Sequence, residues 1–398
     1  MADEVRGAAQ PGELREVSLL ALKLGVTAFG GPAAHIAMLR QEVVEKRKWM
    51  TDQHFLDLIG LTNLVPGPNS TEMVIHAGYE RAGWRGLIAA GALFILPAFA
   101  LVLFFTILYV EYGTTTAGEN LLYGIKPVII AIVAQALYGL GNTALRVPDR
   151  ATAALMALVG VSVAALFFVG INEVILLFGG ALVGALLIFG RQALANGAAV
   201  LVPLYLLKIP LALLQGVPED APVAYSATRL FLTFLKIGAV LYGSGYVLLA
   251  FLEGDFVTNY GWITEEQLID GVAIGQFTPG PVFTTATFVG YVTGGFPGAV
   301  LATLGIFIPS FIFVALIRPV VARVRDRAWT GALLDGVNAA ALGLMAAVTI
   351  ELGEAALVDV VTILLAVLAF GALIRFKVNS AWLVMAGAVV GLTYQGLL

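Results

Sequence analysis

Two Pro-Gly-Pro tripeptides stand at the head of short polar runs. Pro66, Gly67 and Pro68 precede Asn69, Ser70 and Thr71, whereas Thr278, Pro279, Gly280 and Pro281 precede Thr284 and Thr285. Proline withholds an amide and ends a helix. A helix that restarts just beyond it presents unpaired N–H groups, hydroxyls and the positive end of its dipole. That combination suits a small oxyanion. Earlier breaks at Gly30 and Gly31, and at Gly243, Ser244 and Gly245, supply further free backbone, with Thr27 and His35 flanking the first. Lys23 and Lys236 each lie in an apolar stretch, where a cation balances the charge of a bound anion; the competing readings are a lysine snorkelling to the headgroups or paired with a carboxylate. Glu72 and His76, four residues apart, share one helical face and suit proton coupling or a metal. Packing or plain hydrogen bonding competes for His76, as it does for His35 and His54.

The elements that must position these residues occur twice. Lys23 to Pro68 reappears as Lys236 to Pro281 at a constant offset of 213 residues, pairing Gly25 with Gly238, Phe29 with Tyr242, Trp49 with Trp262, Thr51 with Thr264 and Asp57 with Asp270. After a one-residue deletion, Gly86, Pro97 and Gly124 pair with Gly298, Pro309 and Gly336. Helix capping accounts for Thr51 and Thr264, each ahead of an acidic first turn.

Composition places this duplication in a membrane. Of 398 residues, 60% are hydrophobic and 12% charged, and the mean hydropathy is +0.94, far from a soluble domain. Charge-free or nearly charge-free spans are expected at 86–110, 127–145, 151–172, 174–190, 296–317, 328–350, 360–374 and 378–398, with a shorter one at 192–207. Tryptophans at 49, 84, 262, 329 and 382 edge the apolar segments, as interfacial residues do. The segments before each long span are too short to cross and are interrupted by glycine and proline, so re-entrant hairpins are expected there. Broken half-helices at matching places in two repeats point to a transport site.

Charge sets an orientation. Arg40, Lys46, Arg47, Lys48, Arg81, Arg85, Arg146 and Arg150 decorate the first copy, where the second has Glu253, Asp255, Glu351, Glu354 and Asp359; Arg318, Arg323, Arg325 and Arg327 follow the long span of the second copy, where the first has Glu111 and Glu119. By the positive-inside rule the copies face opposite ways, provided 192–214 crosses once. The expected fold is therefore an all-α polytopic membrane protein of two inverted-topology repeats. Each has broken, re-entrant half-helices followed by about four long spans, and a linker helix joins them. The expected divisions are a cytoplasmic tail (1–16), a first repeat (17–191), a linker with an external loop around Glu219 and Asp220 (192–225) and an inverted second repeat (226–398), ending outside at Leu398.

Other classes find little support. Zero cysteines exclude disulfides, thiolate metal sites and iron–sulfur chemistry. No cleavable signal peptide precedes the first apolar segment. A hydrolase would rest on the Glu72 and His76 pair alone, without a His-Glu-x-x-His motif, and no Gly-Lys-Ser/Thr phosphate loop is present, so an ion gradient is the natural energy source. The reading is a transporter and not an enzyme, with no cofactor, no metal and no nucleic-acid partner; its partners are an oxyanion, protons and the lipid bilayer, and a homodimer is compatible with it. A passive anion channel would share the same breaks.

Phe29, Gly30, Gly31, Pro32, Ala33, Ala34 and His35, then Glu42, Trp49, Phe55, Pro66, Gly67, Pro68, Asn69 and Ser70, and later Gly78, Tyr79, Arg81, Ala82, Gly83 and Trp84, closely resemble the motifs of the chromate ion transporter family in its long, two-domain form. The resemblance covers essentially the whole chain. It implies an inner-membrane protein of two oppositely oriented domains that expels chromate at the expense of the proton motive force, with sulfate a substrate of some relatives. From it follows the expectation of oxyanion/proton exchange by alternating access, an antiporter with Glu72 as proton carrier. The second copy departs from the motif: Ser244 and Gly245 replace the second glycine and the proline, and Val282 and Phe283 replace Asn69 and Ser70. The halves need not contribute equally.

Overall fold

The computed structural model describes residues 11–28, 31–63, 65–144, 149–195, 223–242, 245–324 and 328–395. Gly30, Gly243 and Ser244, the linker beyond Ala195, Arg146, Glu219, Asp220 and the residues at each end of the chain lie outside them. Among the described residues every regular element is helical. The first half comprises α1 (Pro11–Thr27), α2 (Gly31–Arg40) running into a π turn (Gln41–Lys46), α3 (Asp52–Thr62), α4 (Asn69–Tyr112), α5 (Thr116–Ala144), α6 (Arg150–Phe167) and α7 (Glu173–Ala195). The second comprises α8 (Ala227–Val240), a 3-10 turn (Gly245–Val247) into α9 (Leu248–Leu252), a π turn (Glu253–Asn259), α10 (Glu265–Phe277), a 3-10 turn (Val282–Thr284) into α11 (Thr285–Val324), α12 (Ala328–Ala356), α13 (Val360–Gly371) with its π turn (Ala372–Phe376) and α14 (Ser380–Gln395).

Five described helical stretches are long and apolar enough to cross a membrane: Asn69–Tyr112, Thr116–Ala144, Arg150–Phe167, Val282–Leu316 and Gly331–Ala356. Three shorter apolar helices, Glu173–Ile188, Val360–Phe376 and Ser380–Tyr394, accompany them. The chain is an all-α polytopic membrane protein. In each half the first helix packs along the long broken one, α1 on α4 and α8 on α11, while α12 fills the space between α5, α6 and α7. Glycine permits the first of these contacts: a Cβ on Gly25 would stand 2.7 Å from the Phe94 carbonyl oxygen, and one on Gly238 would collide with that of Ile306.

The duplication extends to the backbone. In α4 the helix breaks at Ala82 (φ −136°, ψ 23°) and Gly83 (φ 58°, ψ −148°), and in α11 at Gly294 (φ −140°, ψ 19°) and Gly295 (φ 61°, ψ −156°). The second residue of each pair is in a region open to glycine alone, so a two-residue hinge joins a short arm beginning at the Pro-Gly-Pro break to a long apolar arm. The span expected at 86–110 is that long arm. The span expected from Pro127 instead starts at Thr116, and Pro127 lies buried inside α5. Thr115 begins this helix by accepting from the Gly118 amide at 3.2 Å. The helix runs through Lys126, a charge that stops an apolar reading of the sequence. Its side chain is only 16% exposed and its Nζ lies 3.8 Å from Glu266 and 4.0 Å from Asp270, so the helix carries it against carboxylates.

Candidate functional site

Both Pro-Gly-Pro breaks are buried turns leading into the long helices. Gly67 has φ 137° and Gly280 φ 96°, conformations that side chains resist. The Gly67 amide donates to the Leu241 carbonyl (2.8 Å) and the Gly280 amide to the Ala28 carbonyl (3.1 Å). Leu241 is the repeat equivalent of Ala28, as Gly280 is of Gly67, each 213 positions on. The two bonds are therefore reciprocal: the later break of each repeat closes on the earlier break of the other. Each repeat thus supplies a carbonyl to the glycine of the other's Pro-Gly-Pro turn, where α4 meets α11, while the Thr71, Glu72 and Thr284 amides close on Pro68 and Pro281 of their own repeats.

Side chains from the first repeat dominate this centre. His35, on α2 and 2% exposed, lies 3.0 Å through Nε2 from the Ala28 carbonyl and 3.2 Å through Nδ1 from the Ser70 hydroxyl. A carbonyl only accepts, so Nε2 carries the proton and Nδ1 of the neutral ring accepts from Ser70. Ala28 thus receives both the His35 ring and the Gly280 amide. In the first two turns of α4, Ser70, Thr71, Glu72 and His76 are all buried. The Glu72 carboxylate folds back against Gly67, where it would collide with any Cβ, and the same position lies 2.9 Å from Ser310 Oγ of α11. Glu72, Thr71 and Ser310 are each 0% exposed; among the described residues only the Ser310 hydroxyl comes within hydrogen-bonding reach of the Glu72 carboxyl group, and Thr71 Oγ1 has no partner. Polar atoms buried without partners are costly, which marks this as a place prepared for something else. Asn69, at the mouth, donates through Nδ2 to Asn63 Oδ1 (2.7 Å).

The second break has hydroxyls but no charge. Thr278, Thr284 and Thr285 donate to the carbonyls of Gly275 (3.0 Å), Pro281 (2.8 Å) and Val282 (2.9 Å), closing the turn on itself. Thr285 stands where the first repeat has Glu72, and Ala98 beside Gly280 stands where the second repeat has Ser310. Gly31 begins α2 with φ 78°, and a Cβ on Gly245 would stand 3.5 Å from the Val282 side chain. Thr27 is exposed and donates to the Lys23 carbonyl (2.7 Å).

The two lysines are anchored elsewhere. Lys23 bonds Glu42 at 2.8 Å and Lys236 bonds Asp255 at 2.7 Å, again repeat equivalents, each carboxylate lying in a π turn. Their side chains are 51% and 38% exposed, whereas the carboxylates are buried. Of the readings open to the sequence, pairing with a carboxylate is the one found. The surroundings differ in sign. Glu42 is also held by Lys46 (2.9 Å) and Arg47 (3.3 Å), and the lysines, Lys23 first, bring its pKa down to about 2. Asp255 has the single Lys236, and the Glu173 carboxylate, stacked against the Gly254 backbone, shares the electrostatics of Asp255, Lys236 and Glu253.

Sequence reasoning passed over three participants. Tyr242, after α8, is within electrostatic reach of Glu72, and its pairing with Phe29 concealed the gained hydroxyl. Ser310 sits in a long apolar run beside a proline. Asp270 is no cap: Thr264 closes a capping box with Gln267, whereas Asp270, 2% exposed, accepts from Tyr109 (3.0 Å). It borders an apolar cavity of about 390 Å³ reached also by Tyr109, Phe277 and Met385. Among the described residues no group of three or more His, Asp or Glu side chains could hold a metal ion.

A family model described as Chromate transporter matches residues 15–185 and 228–392. The chain is 32% identical over 395 residues to a chromate transport protein of Cupriavidus metallidurans, covering 97% of this chain and 94% of that one. It is likewise 32% identical over 386 residues to a chromate transport protein of Pseudomonas aeruginosa (93% and 90% covered), and 30% identical over 379 residues to an uncharacterized transporter of Methanocaldococcus jannaschii (93% and 92%). No solved structure matches the chain.

Proposed function

The chain belongs to the chromate transporter family, and on that premise we propose that it exports chromate across the plasma membrane by alternating access, driven by the proton motive force. The observation that carries this reading is the reciprocal pair of bonds from Gly67 to Leu241 and from Gly280 to Ala28. Two repeats that complete each other's breaks around one centre suit a carrier, because a rocking motion that separates the breaks on one side can preserve them on the other. In this reading the repeats, 17–191 and 226–398, are inverted in the membrane about the linker at 192–225. Gly67, Ser70, Thr71, Gly280, Thr284 and Thr285 hold the oxyanion, while Asn69, Gly31, Gly245 and Thr278 shape the breaks. His35 orients Ser70, Glu72 and His76 carry the proton, and Lys23 and Lys236 with Thr27 act at the approaches.

Everted vesicles containing the full chain test it. Labelled chromate should accumulate when a proton motive force is imposed and should fall to equilibration without one. Flux that only equilibrates would make the protein a channel. Displacement by a modest excess of sulfate would make the substrate class tetrahedral dianions at large, which a site built on hydrogen bonds separates poorly.

A further inference from the structure

The first break contains a carboxylate where an anion is to bind, and the second does not. Glu72 is wholly buried and lies against Gly67 at the start of α4, with the Ser310 hydroxyl in hydrogen-bonding reach and the unpartnered Thr71 hydroxyl beside it. Among the described residues no cation pairs with it. The titratable groups that face it are Tyr242 from the segment after α8 and His76 one turn on along its own helix; His35 of α2 is one link away through Ser70, and α11 contributes only the Ser310 hydroxyl. A carboxylate at this place and an oxyanion dianion bound at the same break would repel each other at short range in a dry site.

We infer that oxyanion binding at the first break and protonation of Glu72 are one coupled event, so that the anion is carried together with a proton. The inference rests on the reading of the break as the anion site. Unoccupied, the break holds the Glu72 carboxyl group itself, against Gly67 and beside the Ser310 hydroxyl. When the substrate arrives, Glu72 takes a proton from the side on which the substrate enters, becomes neutral and can donate a hydrogen bond to the oxyanion. Both leave on the far side, and the carboxylate returns to the helix end. Because Thr285 replaces Glu72 in the second repeat, one proton moves with each anion and not two.

This sign is opposite to the exchange expected from the sequence, yet it keeps export downhill. A dianion accompanied by one proton carries one net negative charge, which an inside-negative potential drives outward. The electrical part of the proton motive force then does the work, against the pH gradient.

Equilibrium binding of sulfate to the purified full-length protein tests the coupling, since sulfate stays a dianion throughout the working pH range. Affinity should rise about tenfold for each unit of falling pH above the Glu72 titration, as one linked proton requires. Calorimetry in two buffers of different ionisation heat should count about one proton taken up per anion. Glu72→Gln should bind sulfate with the same affinity at every pH. Affinity that falls with acidity, or proton release on binding by the wild type, would overturn the coupling while leaving the anion site standing, and this arm needs no variant. Unchanged pH dependence in Glu72→Gln would overturn the assignment to Glu72. Absence of binding by sulfate and chromate alike would overturn the site itself.

Discussion

Replacing Lys236 with methionine should destabilise the protein far more than replacing Lys23, although the two are repeat equivalents. Both contact a buried carboxylate at a hairpin exit, Lys236 on Asp255 and Lys23 on Glu42, whose side chains are 5% and 7% exposed. What remains after each change differs. Without Lys23, Glu42 still has Lys46 at 2.9 Å and Arg47 at 3.3 Å, so the loss is that of a half-exposed pair in a network, about 0.5–1 kcal/mol. Without Lys236, Asp255 keeps no cation among the described residues, and the neighbouring side chains are the carboxyl groups of Glu173 and Glu253. Breaking a buried pair from one side costs about 3–5 kcal/mol, and screening at Lys236, which is 38% exposed, reduces this to about 2–3 kcal/mol. The difference between the variants is thus about 2 kcal/mol, roughly a thirtyfold shift in the folding equilibrium. Unfolding in mild detergent followed by tryptophan fluorescence would measure it. Adding Asp255→Asn to Lys236→Met should recover most of the loss by removing the orphaned charge, a coupling that a double-mutant cycle isolates. Equal losses for the two lysines, or no recovery in the double variant, would refute the argument.

Gly67→Ala and Gly280→Ala should each lower chromate transport by about tenfold or more, since each forces a side chain into positive φ, at about 1–3 kcal/mol, and into Glu72 or Ala98 respectively; vesicle flux per molecule of folded protein measures it. Glu42, with its pKa brought down to about 2 from 4.5, stabilises the fold fully above pH 4.5 and loses that contribution as pH falls towards 2; Glu42→Gln should flatten this acid limb in pH-dependent unfolding. Tyr109→Phe removes the hydroxyl that donates to Asp270 and should cost about 1–2 kcal/mol in thermal unfolding while leaving the apolar cavity lined as before. Collapsing the membrane potential with valinomycin and potassium should stop chromate accumulation in everted vesicles, whereas collapsing the pH difference with nigericin should not slow it; the reverse pattern would favour exchange.

Much of this protein could be read along the chain, because its determinants are local in sequence. Apolar length gives the long helices, proline and glycine locate the breaks, and the offset of 213 residues makes the halves equivalent, since each depends on residue type and spacing alone. The Thr51 and Thr264 caps were legible for the same reason. Pairing across the centre was not. That Gly67 closes on Leu241 and Gly280 on Ala28 depends on how the repeats pack, and no spacing within one repeat encodes it. Lys126 and Pro127 interrupt the apolar pattern, yet α5 passes through them because Glu266 and Asp270 approach from α10. The roles of Lys23 and Glu72 were likewise decided in three dimensions. A lysine in an apolar stretch stands alone or paired according to whether a carboxylate reaches it, and Glu42 reaches Lys23. A glutamate one turn into a helix is a solvated residue or a buried, partnerless one according to what covers it. Here α11 covers it, and tertiary packing has made Glu72 a buried carboxyl group with no cation beside it among the described residues.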